Sequence, residues 1–178
     1  MWENPSKQFI HCPVRWKRVV YSVVFSIAWL ATMLCECLGN SVDISMPGSV
    51  GFFVQDIHES TNSTPNPSTL SFQDAELTAG GALRISVRAA TDYFTKPSSE
   101  GDAIPVSSVT WSVESCTNGI GYPGSLDASS FTMVYQSNPD VSAGSIDLNW
   151  TLAPLTGISL RAGMHSVSAT WKIECIVP

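Results

Sequence analysis

The chain has 178 residues, which is enough for one domain with its own core and too few for two domains of ordinary size. Beyond residue 39 five Lys or Arg residues stand against thirteen Asp or Glu, a net charge of −8. Such a domain offers no basic surface to nucleic acid or to an anionic membrane. Aromatic and β-branched residues remain plentiful there, which argues against a disordered tail.

The N-terminal part has basic residues followed by an uncharged, mainly apolar run, as an export signal does. Four Lys or Arg residues precede residues 19–34, a run that contains no charge. A bilayer-spanning helix needs roughly 20 predominantly apolar residues, whereas this run is shorter and is followed closely by Glu36. We therefore predict that residues 1–39 are a signal peptide cut after Gly39, with a retained signal-anchor helix as the alternative. Either form places the remaining domain outside the cytoplasm, in the extracellular space or the cell envelope, and any membrane contact is made by an uncut N-terminal segment.

Residues 40–178 contain strand-length segments separated by stretches rich in Gly, Pro, Asn and Ser. No segment after the leader has a helical apolar period over ten residues. The predicted strands are 49–57, 69–77, 82–90, 105–115, 129–136, 144–152 and 165–177. This spacing predicts a single all-β domain, an immunoglobulin-like antiparallel β-sandwich of about seven strands.

Two of these segments alternate between apolar and polar residues. In residues 144–152 the apolar set includes Trp150, and in residues 165–177 it includes Trp171. A strand with one buried face has this pattern. We expect both tryptophans, together with Trp111 in the segment 105–115, to anchor the core.

Cys116 and Cys175 are the only cysteines after the predicted cut. An even count in an exported chain predicts a disulfide between them, with two buried thiols as the alternative. A regular strand that points Trp111 inward would turn Cys116 outward. The bridge therefore requires a β-bulge near Glu114 or a strand that has ended by Ser115.

Three tryptophans share the pattern Trp, any residue, aliphatic: Trp111-Ser112-Val113, Trp150-Thr151-Leu152 and Trp171-Lys172-Ile173. With the closing stretch RAGMHSVSATWKIE, they resemble the C-terminal part of bacterial secreted surface modules such as the WxL-type domains. The resemblance covers roughly the last 70 residues of the chain. It implies a β-sandwich at the cell surface that binds the cell wall.

Four aromatic residues lie in or beside predicted loops: Tyr93, Phe94, Tyr122 and Tyr135. Exposed aromatic side chains commonly mark contact with carbohydrate or protein. Their partner would be cell-wall polysaccharide or another surface protein. The alternative is that they cap the open ends of the sandwich.

The sequence displays no catalytic constellation. His58 lacks a second His or Cys at ligand spacing, and we expect it at a solvated strand end. His165 is expected at the surface, since no G-x-S-x-G motif accompanies it. We predict a secreted or cell-envelope structural or binding module with no catalytic residue, metal or cofactor. The alternatives are a pilus-type subunit that polymerises by strand exchange and a small secreted hydrolase that uses a pair of carboxylates.

Overall fold

The computed structural model describes residues 8–11, 19–20, 26–31, 41–160 and 162–177. Within these ranges the chain forms β-strands and one short 3₁₀ turn at Val106–Ser108. The strands are β1 (Gln8–His11), β2 (Val19–Val20), β3 (Ser26–Ala31), β4 (Ser41–Ser45), β5 (Ser49–Phe52), β6 (Thr61–Thr64), β7 (Ser68–Glu76), β8 (Ala82–Ala89), β9 (Val109–Thr117), β10 (Gly119–Gly121), β11 (Gly124–Ser125), β12 (Thr132–Ser137), β13 (Gly144–Leu152) and β14 (Val167–Ile176).

The strands form two sheets. Sheet A has the order β1-β4-β7-β13-β9-β11, and sheet B has the order β5-β3-β14-β8-β12-β10, with β2 beside β3. Strand β6 pairs with β13 of sheet A and with β5 of sheet B, so it links the two sheets at one corner. The pairings between described strands are antiparallel, except that β3 runs parallel to β14. The predicted all-β class is confirmed, and the two sheets agree with a β-sandwich.

Strands β13 and β14 follow the predicted alternation. Strand β13 has the predicted bounds, and its residues alternate between buried and half-buried from end to end. In β14 the same alternation runs from Val167 to Ile173. Val177, which the alternation placed inward, is instead exposed, because β14 ends at Ile176.

Other segments differ from their predicted lengths. Strand β5 ends at Phe52, well before the predicted end at residue 57, and a 3₁₀ turn occupies part of the predicted segment 105–115. Strands β4, β6, β10 and β11 were not predicted. They are two to five residues long, too short for an alternating pattern to stand out in the sequence.

The core lies between the sheets and is rich in aromatic side chains. Trp111 of β9 pairs directly with Trp150 of β13, and their ring centroids are 5.1 Å apart. Trp171 enters from β14 of sheet B, and all three indoles are buried. Phe72 and Tyr135, whose ring centroids are 5.9 Å apart, join β7 of sheet A to β12 of sheet B. Close packing of these large side chains across the gap holds the sheets together.

A β-bulge interrupts β9 at Glu114. Along β13, Asp147 pairs with Ser115 and the next residue, Leu148, pairs with Val113, so the register skips Glu114. Of the two alternatives, a bulge near Glu114 or a strand that has ended by Ser115, the structure has the bulge, and β9 continues to Thr117. Beyond the bulge, Cys116 pairs with Ile146, which is fully buried, and Cys116 packs against the core. One extra residue thus returns the strand to the inward phase.

Candidate functional site

The most unusual position in the fold is that of β3, which lies between β5 and β14. Its residues 27–31 pair in parallel with Val167–Trp171 of β14. On its other side, residues 26–28 pair in antiparallel fashion with Ser49–Gly51 of β5. We call the space between these two edges the strand slot. Residues 26–31 fill the slot, and they belong to the uncharged run that sequence analysis assigned to the leader.

The inner wall of the strand slot is apolar. The register sets Ile27 opposite Val167 and Val50, which are both buried. The next position, Ala28, is set opposite Ser168 and Ser49, which are half-buried. The positions along the slot therefore alternate between an apolar, buried environment and a polar, partly solvated one, as on any strand that completes a sandwich.

Within the described chain, β14 has two neighbours, β8 and β3. If residues 26–31 are absent, the edge of β14 that faces β5 has no strand beside it. Such an edge carries a row of backbone N–H and C=O groups that can pair with another extended chain. The predicted cut after Gly39 lies outside the described residues, as do residues 1–7, 12–18, 21–25 and 32–39 of the leader.

The four aromatic residues proposed as ligand contacts are not gathered at one place. Tyr93 is 55% exposed, whereas Phe94 is buried beside it. Tyr122 is half-buried, and its carbonyl accepts a hydrogen bond from Nε1 of Trp111 at 2.7 Å. Tyr135 is fully buried, and its hydroxyl donates to the carbonyl of Thr117 at 2.8 Å. Of the four, Tyr93 alone has most of its side chain available to a partner.

An exposed aromatic residue that sequence analysis did not single out is Phe53, which directly follows β5. Its side chain is 79% exposed and borders an open cleft of about 310 Å³. Polar groups line the rest of this cleft, among them Asp56, Glu59 and Asn62. The prediction missed Phe53 because an apolar residue in the run 49–57 resembles a core position until the end of the strand is known.

The predicted disulfide between Cys116 and Cys175 is not formed. Both residues are thiols, one on β9 of sheet A and the other on β14 of sheet B. The bulge does return Cys116 to the inner face, but its Sγ then turns to the adjoining turn and donates to the carbonyl of Gly119 at 3.2 Å. The Cys116 thiol is therefore hydrogen-bonded within its own turn, and no disulfide joins the two sheets here.

Several carboxylates hold turns and strands in place. Asp127 accepts hydrogen bonds from the hydroxyl of Ser130 at 2.5 Å and from the backbone N–H of Ser129 at 2.8 Å. These bonds lower the pKa of Asp127 to about 2. The carboxylate of Asp147 accepts from Ser115 and Thr69 of the two flanking strands, at 2.7 and 2.6 Å, which lowers its pKa as well.

The two histidines of the domain have different surroundings. His58 is exposed, and its backbone N–H donates to the carboxylate of Asp56 at 2.8 Å, as expected for a solvated turn. His165 is 3% exposed, so its predicted surface position is wrong. It precedes β14, where the chain around Ser166 is held by Thr95 through backbone and hydroxyl hydrogen bonds.

Among the residues that the structure describes, no three His, Cys, Asp or Glu side chains are grouped as a metal site would require. In the same residues no helix has the length and apolar character needed to cross a membrane. Comparison of the chain with protein-family models, with curated proteins and with solved structures finds no match.

Proposed function

We propose that the protein is an exported structural or binding module of the cell envelope, without catalytic activity, built on an immunoglobulin-like β-sandwich. The observation that carries this proposal is the position of β3. The segment that sequence analysis assigns to the export signal is also the strand that fills the slot between β5 and β14. Export with removal of residues 1–39 would therefore deliver a sandwich with an open edge, ready for a partner.

The composition and the polar side chains support a binding role over a chemical one. The domain without its leader carries a net charge of −8, which favours solubility outside the cell. The carboxylates of Asp127 and Asp147 are engaged in structural hydrogen bonds. Exposed aromatic side chains at Tyr93 and Phe53 supply contact area of the kind that sugars and proteins use. The resemblance to WxL-type domains adds the cell wall as the proposed partner.

The strand slot also favours a second candidate function, a pilus-type subunit that polymerises by strand exchange. A subunit of that kind lacks one strand of its own sandwich and receives it from a neighbour. Residues 41–177 meet this description when β3 is removed, because β14 then keeps only β8 as its neighbour. The two candidates differ in oligomeric state: the binding module is a monomer, and the polymerising subunit forms a ladder of oligomers.

Expression of the full chain in a bacterial host tests the proposed function. We expect the protein outside the cytoplasm, with an N-terminus near Asn40 by mass spectrometry, and retained by purified cell-wall fractions. Phe53→Ala and Tyr93→Ala should reduce retention without lowering the melting temperature, whereas Ser107→Ala, at another exposed position, should leave retention unchanged. Cytoplasmic protein that still begins at Met1, or exported protein that the wall does not retain, would contradict the proposal.

A further inference from the structure

The strand slot has a defined direction and length. A strand in it runs parallel to β14 and antiparallel to β5, and it pairs with five residues of β14, from Val167 to Trp171. Backbone pairing of this kind supplies affinity, while the side-chain pockets at alternate positions supply selectivity. The slot can therefore select a partner by the polarity of every second residue.

Burial along the slot specifies that partner. Val167, Ala169 and Trp171 are 3% exposed or less, and Val50 on the other edge is fully buried. A residue aligned with them would be removed from water, where an unpaired charge is strongly disfavoured. Residues 26–31, the strand that occupies the slot, contain no charged residue.

The chain without its leader does not offer an obvious strand of its own. With the predicted cut after Gly39, only Asn40 precedes β4. Strand β4 is paired with β7 in sheet A, and its Val42 and Ile44 belong to the core. Donation of β4 to a second copy would break that pairing and expose both side chains, so a partner chain is the better source.

We infer that the strand slot is a docking site for an extended segment of a partner protein, uncharged at alternate positions, which takes the place of residues 26–31 after the leader is removed. The segment forms one more strand of sheet B, parallel to β14. This inference rests on the proposed function, since it requires that the exported protein has lost its leader. It adds the place of binding and the chemistry of the partner.

The test starts from the full chain, with a specific protease site inserted between Leu38 and Gly39. After folding and cleavage, a fluorescent peptide of residues 24–33 with a soluble tail is added, and binding is followed by anisotropy. We expect the labelled peptide to exchange with the cut leader, which raises the anisotropy of the label. The uncut chain should bind it at least about tenfold more weakly, because its slot is filled.

Two variant peptides give a matched comparison. Ile27→Asp places a charge opposite Val167 and Val50, and Ala28→Asp places one opposite Ser168 and Ser49. We expect the first substitution to weaken binding at least about tenfold more than the second. Equal effects, or no binding of the unmodified peptide to the cut protein, would overturn the inference. Oligomers that form in the cut protein without peptide would also overturn it, since the occupant would then be a second copy.

This experiment and the export experiment fail independently. Peptide exchange is measured on purified protein and does not depend on secretion. If the peptide binds but the chain is never exported, the docking site stands and the proposed function fails. If the chain is exported and the peptide does not bind, the proposed function stands and the docking site is excluded.

Discussion

The indole Nε1 of Trp150 donates a hydrogen bond of 2.7 Å to the hydroxyl of Ser68, on the neighbouring strand of sheet A. Both residues are almost completely buried. The hydroxyl in turn lies 3.5 Å from the carbonyl of Leu148. A large aromatic residue in the centre of a sandwich needs such a partner for its single polar group.

Ser68→Ala should lower the free energy of unfolding by about 1–3 kcal/mol, because a buried N–H loses this acceptor. Ser71→Ala on the same strand is the control, since Ser71 is half-buried. Chemical denaturation of both variants measures the difference. Equal stability of the two variants would show that the indole does not depend on Ser68.

Trp171→Ala should lower the free energy of unfolding by about 3–5 kcal/mol, because it leaves a cavity where a large side chain of sheet B is fully buried. Phe53→Ala removes an aromatic ring that is 79% exposed and should change stability by less than about 0.5 kcal/mol. Thermal unfolding followed by circular dichroism compares them. A Trp171→Ala protein that melts like the unmodified chain would contradict the inward phase of β14.

The Asp127 carboxyl should titrate with a pKa of about 2 in the folded protein, against an ordinary value of 3.8. Because the folded pKa is the lower one, the stabilisation is present above the ordinary pKa and is lost as the pH falls through the folded value. Ser130→Ala removes the hydrogen bond that lowers this pKa most, so the variant should have a higher Asp127 pKa. Ser107→Ala should leave the pKa unchanged. NMR titration of the carboxyl carbon gives both values.

Burial raises the pKa of the Tyr135 phenol from 10.0 to about 12, with a smaller contribution from nearby Cys116. The folded pKa is the higher one, so this contribution to stability is complete below pH 10 and is lost as the pH rises towards 12. Tyr135→Phe should reduce the loss of stability at alkaline pH. Denaturation at several pH values measures the difference. A phenol that titrates near 10 by ultraviolet absorbance would show that Tyr135 is exposed.

Native protein should yield separately alkylated peptides for Cys116 and Cys175, because the structure holds both as thiols. Peptide mapping without reductant distinguishes this result from a bridge. A linked peptide would show that the Cys116 thiol leaves the carbonyl of Gly119 to bond across the sheets.

The sequence predicts the long strands well, because alternation with a period of two leaves a clear pattern when one face is buried. The bounds of β13 and the inward position of Trp150 follow from it directly. The sequence places Tyr135 beside a loop rather than in the core, because its segment breaks the alternating pattern. A register shift in β12 buries Val134 and Tyr135 in succession, and two adjacent inward residues do not fit the pattern.

The strand slot could not be predicted from the sequence. An uncharged, mainly apolar run such as residues 19–34 fits a signal peptide, a helix or a buried strand equally well, because its few polar residues, Ser22, Ser26 and Thr32, set no clear period. Its pairing depends on β5 and β14, which are distant in the chain. The exposure of Phe53 could not be predicted either, because it depends on where β5 ends.

The bulge at Glu114 gives β9 two different spacings of inward residues. Trp111 and Cys116 are five positions apart, which would put them on opposite faces of a regular strand. Both face the interior because the pairing with β13 skips Glu114. A strand of the same length without the bulge could keep either the tryptophan or the cysteine inside but not both. Deleting Glu114 would instead give a regular strand that keeps both residues on the inner face, so the bulge is tied to this one extra residue.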